Sequence, residues 1–245
     1  MEIAAIKNNT ISTNNGAGIF RTSPYSLITG NNIKGNTKQG IYIDCDNPLI
    51  QENTISENAE GLSVFYYHST ITRNLISANK IGINITRSNN LIYYNEISNN
   101  DEAIKIYGIG WSGGHGRDNS IVGNSFINNN RNVFFNYLYA IGYPMNITFK
   151  NNYWGRPRIL PKPIFGQLNL FGNKIDGGIN IPWVIFDRSP VFTPYDINIG
   201  YNIPDTQHIS CSESSEKVNT VSIEENMISS GISPPLFIKR IKSIQ

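Results

Sequence analysis

Apolar residues along this chain come in short bursts separated by Asn, and the bursts recur. Leu49-Ile50-Gln51-Glu52-Asn53-Thr54-Ile55-Ser56 is followed by Thr70-Ile71-Thr72-Arg73-Asn74-Leu75-Ile76-Ser77, then by Leu91-Ile92-Tyr93-Tyr94-Asn95-Glu96-Ile97-Ser98. The unit reads Ile-x-x-Asn-x-Ile, a second Asn, then Gly-Ile-x-Ile. Its first Asn falls at Asn9, Asn31, Asn53, Asn74, Asn95 and Asn124 and is expected to end at Asn151, in steps of 22, 22, 21, 21, 29 and 27 residues. The second Asn falls at Asn14, Asn36, Asn58, Asn79, Asn100 and Asn129. The glycine recurs at Gly18, Gly40, Gly61 and Gly82, then gives way to Ala103-Ile104 and Asn132-Val133. Self-similarity at about 20 residues is the mark of a repeat architecture. Isoleucine dominates over leucine, and no segment keeps helical spacing over the ~10–12 residues a helix needs. The pattern predicts a parallel β-helix, three short strands to a coil, rather than a leucine-rich horseshoe.

Alternation within each strand places Ile50, Ile55, Leu62 and Val64 inside and Gln51, Thr54 and Ser63 outside. Equivalent residues should stack about 4.8 Å apart, so Ile11, Ile33, Ile55, Ile76, Ile97 and Phe126 form one column. Asn suits the corners because it tolerates left-handed backbone and its amide can bond to the same amide one coil on. Two stretches interrupt the repeat, Tyr107 to Asp118 and Tyr137 to Pro144, both after the Gly-Ile-x-Ile strand. Insertions on one face of a solenoid commonly carry its binding function. Beyond Gly155 the prolines of Arg156–Phe165 argue against another coil. The expectation is an irregular cap of short strands over residues 155–197, with Trp154 and Trp183 as apolar covers. Residues 1–154 form the repeats, and the Ser-, Glu- and Asn-rich residues 198–245 read as a disordered tail or linker.

These units resemble the parallel β-helix repeats of the pectin-lyase-like superfamily. They are similar in particular to its carbohydrate-binding and sugar-hydrolase members and to the periplasmic copper-binding β-helix domain of nitrous oxide reductase maturation. Asn151-Asn152-Tyr153-Trp154-Gly155 resembles the motif that closes the last coil in that group. The resemblance implies an all-β, right-handed, single-stranded parallel β-helix of about six to seven coils. It implies no particular activity, because lyases, hydrolases, epimerases and non-catalytic proteins share the fold.

Composition narrows the function classes. A net charge of +2 without a Lys/Arg run in the repeats gives no footprint for nucleic acid. Cys45 and Cys211 make no disulfide framework. No apolar stretch is long enough to span a membrane. Met1-Glu2-Ile3-Ala4-Ala5-Ile6 enters the register directly, so no secretory signal is read and an upstream start is expected. An extracellular, cell-surface or periplasmic location follows from the resemblance. The glycosylation-acceptor triplets Asn8-Asn9-Thr10, Asn84-Ile85-Thr86 and Asn146-Ile147-Thr148 agree with it weakly in so Asn-rich a chain.

Candidate chemistry gathers after the third strand of successive coils. Thr22-Ser23 aligns with Asp44-Cys45-Asp46, Phe65-Tyr66-Tyr67-His68, Thr86-Arg87-Ser88 and Tyr107. Sugar faces stack on aromatic rings, and carboxylates or Arg bond hydroxyls and uronate groups. Asp44, Asp46, Tyr66, Tyr67, Arg87, Tyr107 and Trp111 are therefore the expected glycan-binding residues. Asp46, Tyr67 and Ser88 should form one exposed row with Cys45, Tyr66 and Arg87 beside it, and the loop around Trp111 should wall a groove. The leading expectation is a non-catalytic scaffold binding glycan or partner surfaces. The alternative is a lyase or epimerase on uronate polymers, with Tyr67 or His68 as base and Arg87 neutralising the carboxylate. Asp44 and Asp46 could then hold Ca²⁺, though no cofactor is required. A hydrolase would need paired acids on adjacent coils, where this chain has Ser63, Asn84 and Lys105 beside Gly114-His115-Gly116. Copper would need clustered soft donors, and His68, His115, His208, Met145 and Cys45 show no such spacing.

Overall fold

The computed structural model describes residues 4–20, 22–107, 118–139, 146–170 and 179–197. They form a parallel β-helix with three sheets. The first joins seven strands, from Ala5–Lys7 through Thr70–Thr72 to Thr148–Lys150. The second joins six, from Thr10–Ser12 to Ser125–Ile127. The third joins eight, from Ile19–Phe20 to the hairpin strands Lys162–Leu170 and Ile179–Asp187. Most strands of the first two sheets are three residues long, so a single central side chain in each points inward.

The core is these central residues stacked in register. Ile50 aligns with Ile71 and Ile71 with Ile92. Ile11, Ile33, Ile55, Ile76, Ile97 and Phe126 form the second column. Ile41, Leu62, Ile83 and Ile104 form the third. From Ile28 to Phe126 these side chains are fully buried, each contributing about 1.5–3 kcal/mol by removal from water. Trp154 closes the second column, its ring 4.5 Å from Phe126 at 11°.

The corner asparagines form ladders. Asn53 Nδ2 donates to Asn74 Oδ1 at 3.0 Å, and Asn74 Nδ2 to Asn95 Oδ1 at 2.9 Å. From Asn31 to Asn124 each Nδ2 of this ladder also reaches two backbone carbonyls; for Asn74 these are Ile50 and Thr72. The carbonyls need donors, so the amide's orientation is fixed and every Oδ1 accepts from the preceding coil. The second ladder runs from Asn14 to Asn129. A third, not expected, links the Ser69 amide to Asn90 and Asn90 to Asn119.

Several details differ from the expectations drawn from the sequence. The first ladder passes through Asn152, not Asn151, and ends on the buried carboxylate of Asp187. The ladder asparagines are not the left-handed residues; their predecessors are, including Glu52, Arg73, Tyr94 and Ala78 with φ of 56°, 54°, 51° and 54°. Ser63 faces outward yet is fully covered, its hydroxyl donating to the Glu60 carboxylate. Tyr137–Tyr139 continue the strand Arg131–Tyr139, so the second interruption starts later than Tyr137. The cap is not made of irregular short strands. Lys162–Leu170 runs parallel to Arg131–Tyr139 and turns into a nine-residue antiparallel pair with Ile179–Asp187. Pro163 precedes the part paired with Arg131–Tyr139, and Pro182 lies on the outermost strand, so neither removes a needed donor. Trp183, on that outermost strand, is 47% exposed and covers nothing as Trp154 does.

Candidate functional site

The outer face of the third sheet carries a run of stacked rings. Phe20 is paired with Tyr42 in register, and their rings lie 5.0 Å apart at 28°. Tyr42 and Phe65 repeat the geometry, 5.0 Å and 28°. Parallel strands set the Phe20–Tyr42 spacing, because outward residues of neighbouring coils are held about 4.8 Å apart; Phe65 lies two residues beyond Ser63, the in-register partner of Tyr42, and its ring joins the row from past the strand end. The sequence pattern does not single out this row; Phe20 and Tyr42 sit at strand positions where alternation alone predicts an outward side chain.

The row leads into the expected ridge. Tyr66 packs edge-on against Tyr67 at 5.4 Å, and the His68 ring lies 6.2 Å from Tyr67. The Arg87 guanidinium sits 6.0 Å from the Tyr67 centroid, at the outer limit of a cation–π contact. His68 Nδ1 approaches Asp46 Oδ1 at 3.7 Å, within ion-pair range and too long for a hydrogen bond. Tyr66 is exposed, and Tyr67, Arg87, Asp44 and Asp46 are half-buried. Tyr107 is half-buried too, with the Lys105 ammonium 6.0 Å from its ring. His68 occupies the left-handed corner position at φ 60°, as do Asn47 and Asn89 on the coils either side.

Two members of the expected rows are not surface residues. Cys45 is buried in the core, its Sγ 2.9 Å from Thr22 Oγ1, and burial raises its thiol pKa more than the nearby Thr22 and Ser26 hydroxyls lower it. Ser88 is 3% exposed. Side-chain alternation restarts at each corner, so counting onward from the strand misplaces both. Trp111 and His115, with the rest of residues 108–117, lie outside the described residues, as does Met145. Among the described residues no three His, Cys, Asp or Glu side chains gather. Cys45 is committed to the core, and His68 faces a carboxylate, so the described donors do not make a soft-metal site. No helix among them is long and apolar enough to cross a membrane.

Fold and ridge together define a parallel β-helix repeat protein. A family model described as "Periplasmic copper-binding protein (NosD)" matches residues 2–114. Among solved structures, a mutant form of the periplasmic alginate epimerase AlgG is similar at 20% identity and a TM-score of 0.53, over 71% of this chain and 40% of that one. A second AlgG structure is similar at 20% identity and a TM-score of 0.49, over 69% and 40%. The chain thus spans about 40% of the length of the structures it matches. No curated protein matches it.

Proposed function

We propose that this chain is an extracytoplasmic β-helix scaffold that binds a glycan along the third-sheet ridge without transforming it. The aromatic row Phe20–Tyr42–Phe65 carries the reading. Its rings, Phe20 exposed and Tyr42 and Phe65 half-buried, stack on one another and present an aromatic strip of ring edges to solvent, and Tyr66, Tyr67, Asp46 and Arg87 add polar groups at one end. Stacking and hydrogen bonding on one surface are what an extended sugar chain requires. The match to a periplasmic family model supports the location.

The competing reading, a lyase or epimerase on uronates, draws on the approach of His68, Asp46, Tyr67 and Arg87. One experiment separates them. The protein is titrated with neutral and uronate oligosaccharides, and the mixtures are followed for unsaturated-product absorbance and for exchange at C5. Saturable binding without turnover is expected, with Tyr67→Ala and Arg87→Ala each weakening it by about 1 kcal/mol or more. Turnover lost in Tyr67→Phe or His68→Ala would replace the scaffold reading with the enzymatic one.

A further inference from the structure

The loop that leaves the last coil carries apolar side chains that the fold does not use. Trp154 closes the second core column, and Gly155, at φ 77°, turns the chain away from it. In the segment that follows, Arg156-Pro157-Arg158-Ile159-Leu160-Pro161, Ile159 is 85% exposed and Leu160 75%, more than any other large apolar side chain among the described residues. Single exposed aliphatics are ordinary on a protein surface; an adjacent pair at the tip of a loop makes a patch. Pro157 and Pro161 bracket the tip and fix φ on either side of it, so holding the pair outward costs little chain entropy.

The surroundings of the tip are cationic. No Asp or Glu occurs between Asp118 and Asp176, a stretch that holds Lys150, Arg156, Arg158 and Lys162. Among the described residues no acid lies within ion-pair distance of Arg156, Arg158 or Lys162. The two arginines are close enough to act on Lys162: burial, then Arg158 and Arg156, lower its pKa. Lys162 itself lies on the core-facing side of its strand, 5.9 Å from the Trp154 ring and across from Asp187. It adds to the positive field and is no part of the exposed surface. The Asp187 carboxylate is buried and accepts from Asn152 and Trp154. Arg188, exposed, follows it at the open end of the hairpin. Asp196, also exposed, follows Tyr195, whose amide is bonded to Ser125 on the second sheet.

We propose that this loop docks the end of the solenoid on an anionic lipid bilayer, with Ile159 and Leu160 entering the acyl boundary and Arg156 and Arg158 at the lipid phosphates. Aliphatic side chains set between cations match that boundary, where apolar groups are buried by about 5–10 Å and basic groups meet anionic headgroups. A sugar chain would find no ring face to stack on here, unlike on the ridge. A second copy in a two-fold contact would bring the same arginines together with no acid between them. The loop leaves the last coil and the aromatic row starts on the first, so this site does not rest on the glycan reading.

Co-sedimentation of the full chain at low ionic strength tests this with two kinds of vesicle, phosphatidylcholine alone and equal parts phosphatidylcholine and phosphatidylglycerol. The mixed vesicles should bind about tenfold or more tighter, each of the two arginines contributing about fivefold. Arg156→Gln should lower that preference by about fivefold. Ile159→Ser combined with Leu160→Ser, both exposed positions, should weaken binding to the mixed vesicles by about tenfold or more while leaving the unfolding temperature unchanged. Leu160→Trp should shift its emission to the blue on mixed vesicles by more than the wild type does, which reports entry of the tip and not attraction alone. Tyr67→Ala should bind vesicles as the wild type does. No binding, equal binding to both vesicles, or binding unaltered in the double serine variant overturns the proposal. The same added blue shift with polyglutamate in place of lipid overturns it in favour of an acidic protein partner. Self-association without vesicles that the serine variant removes overturns it in favour of a second copy. Vesicle binding lost in Tyr67→Ala also overturns it, moving the contact to the ridge.

Discussion

At the level of single residues, each corner separates two demands that the repeat pattern alone assigns to one Asn. The ladder Asn supplies an amide whose every donor and acceptor is used; the residue before it takes the left-handed backbone. Asn74 is the clearest case, accepting from the Asn53 backbone and side chain and donating to Ile50, Thr72 and Asn95. Asn74→Ala strands several buried partners at once and should cost about 3–5 kcal/mol in urea unfolding, each orphaned group losing about 1–3 kcal/mol. Ala78, one residue before Asn79 and exposed, holds φ 54° with a Cβ that disfavours it. Ala78→Gly should therefore raise stability, by up to about 1 kcal/mol in the same assay. The Asn positions were legible because they recur. The left-handed positions were not, because Glu52, Arg73, Tyr94 and His68 carry no compositional sign of them.

Among the elements, the coils were legible and the hairpin was not. A repeated strand announces itself by its spacing, so the columns through Ile50 and Ile55 can be assigned from the period alone. The strands Lys162–Leu170 and Ile179–Asp187 occur once, and Pro163 and Pro182 argue against strands unless their free sides are known. The close packing of Gly166 over Phe135 was hidden for the same reason, since the two lie about 30 residues apart in sequence. After the hairpin, the segment to Tyr195 straps the last coil. Its amide donates to Ser125 Oγ at 2.8 Å and its hydroxyl to the Asn151 carbonyl at 2.9 Å. Burial, then Tyr94 and Asp187, raise the Tyr195 pKa, so folding favours the neutral phenol. That contribution is complete below the unfolded value of about 10 and is lost as pH rises through the higher folded value. Thermal unfolding followed across the alkaline range should show this loss. Tyr195→Phe should cost about 1 kcal/mol at neutral pH and flatten that part of the decline.

For the whole molecule, stability is a sum over neighbouring coils, because each strand contacts the equivalent strands before and after it. Removing one complete unit should then be tolerated. Deletion of Leu75–Asn95 joins Asn74 to Glu96 and lets Asn74 donate to Asn124, so the shortened chain should keep its β-sheet circular dichroism and unfold cooperatively at lower temperature. Deleting one residue fewer leaves an extra residue at the corner after Asn74; because alternation restarts at each corner the strain stays local, and the unfolding temperature should fall further without loss of the fold. The ladder that makes this possible also has a direction. Each amide hands hydrogen to the next, and Asp187, with no hydrogen to give, receives the last. A solenoid of this kind can lengthen by copying a unit anywhere between Asn9 and Asn124, but a copy appended beyond Asp187 would face two lone pairs with no proton between them. A single carboxylate is thus a terminator, and the growth of the molecule by duplication is confined to its interior.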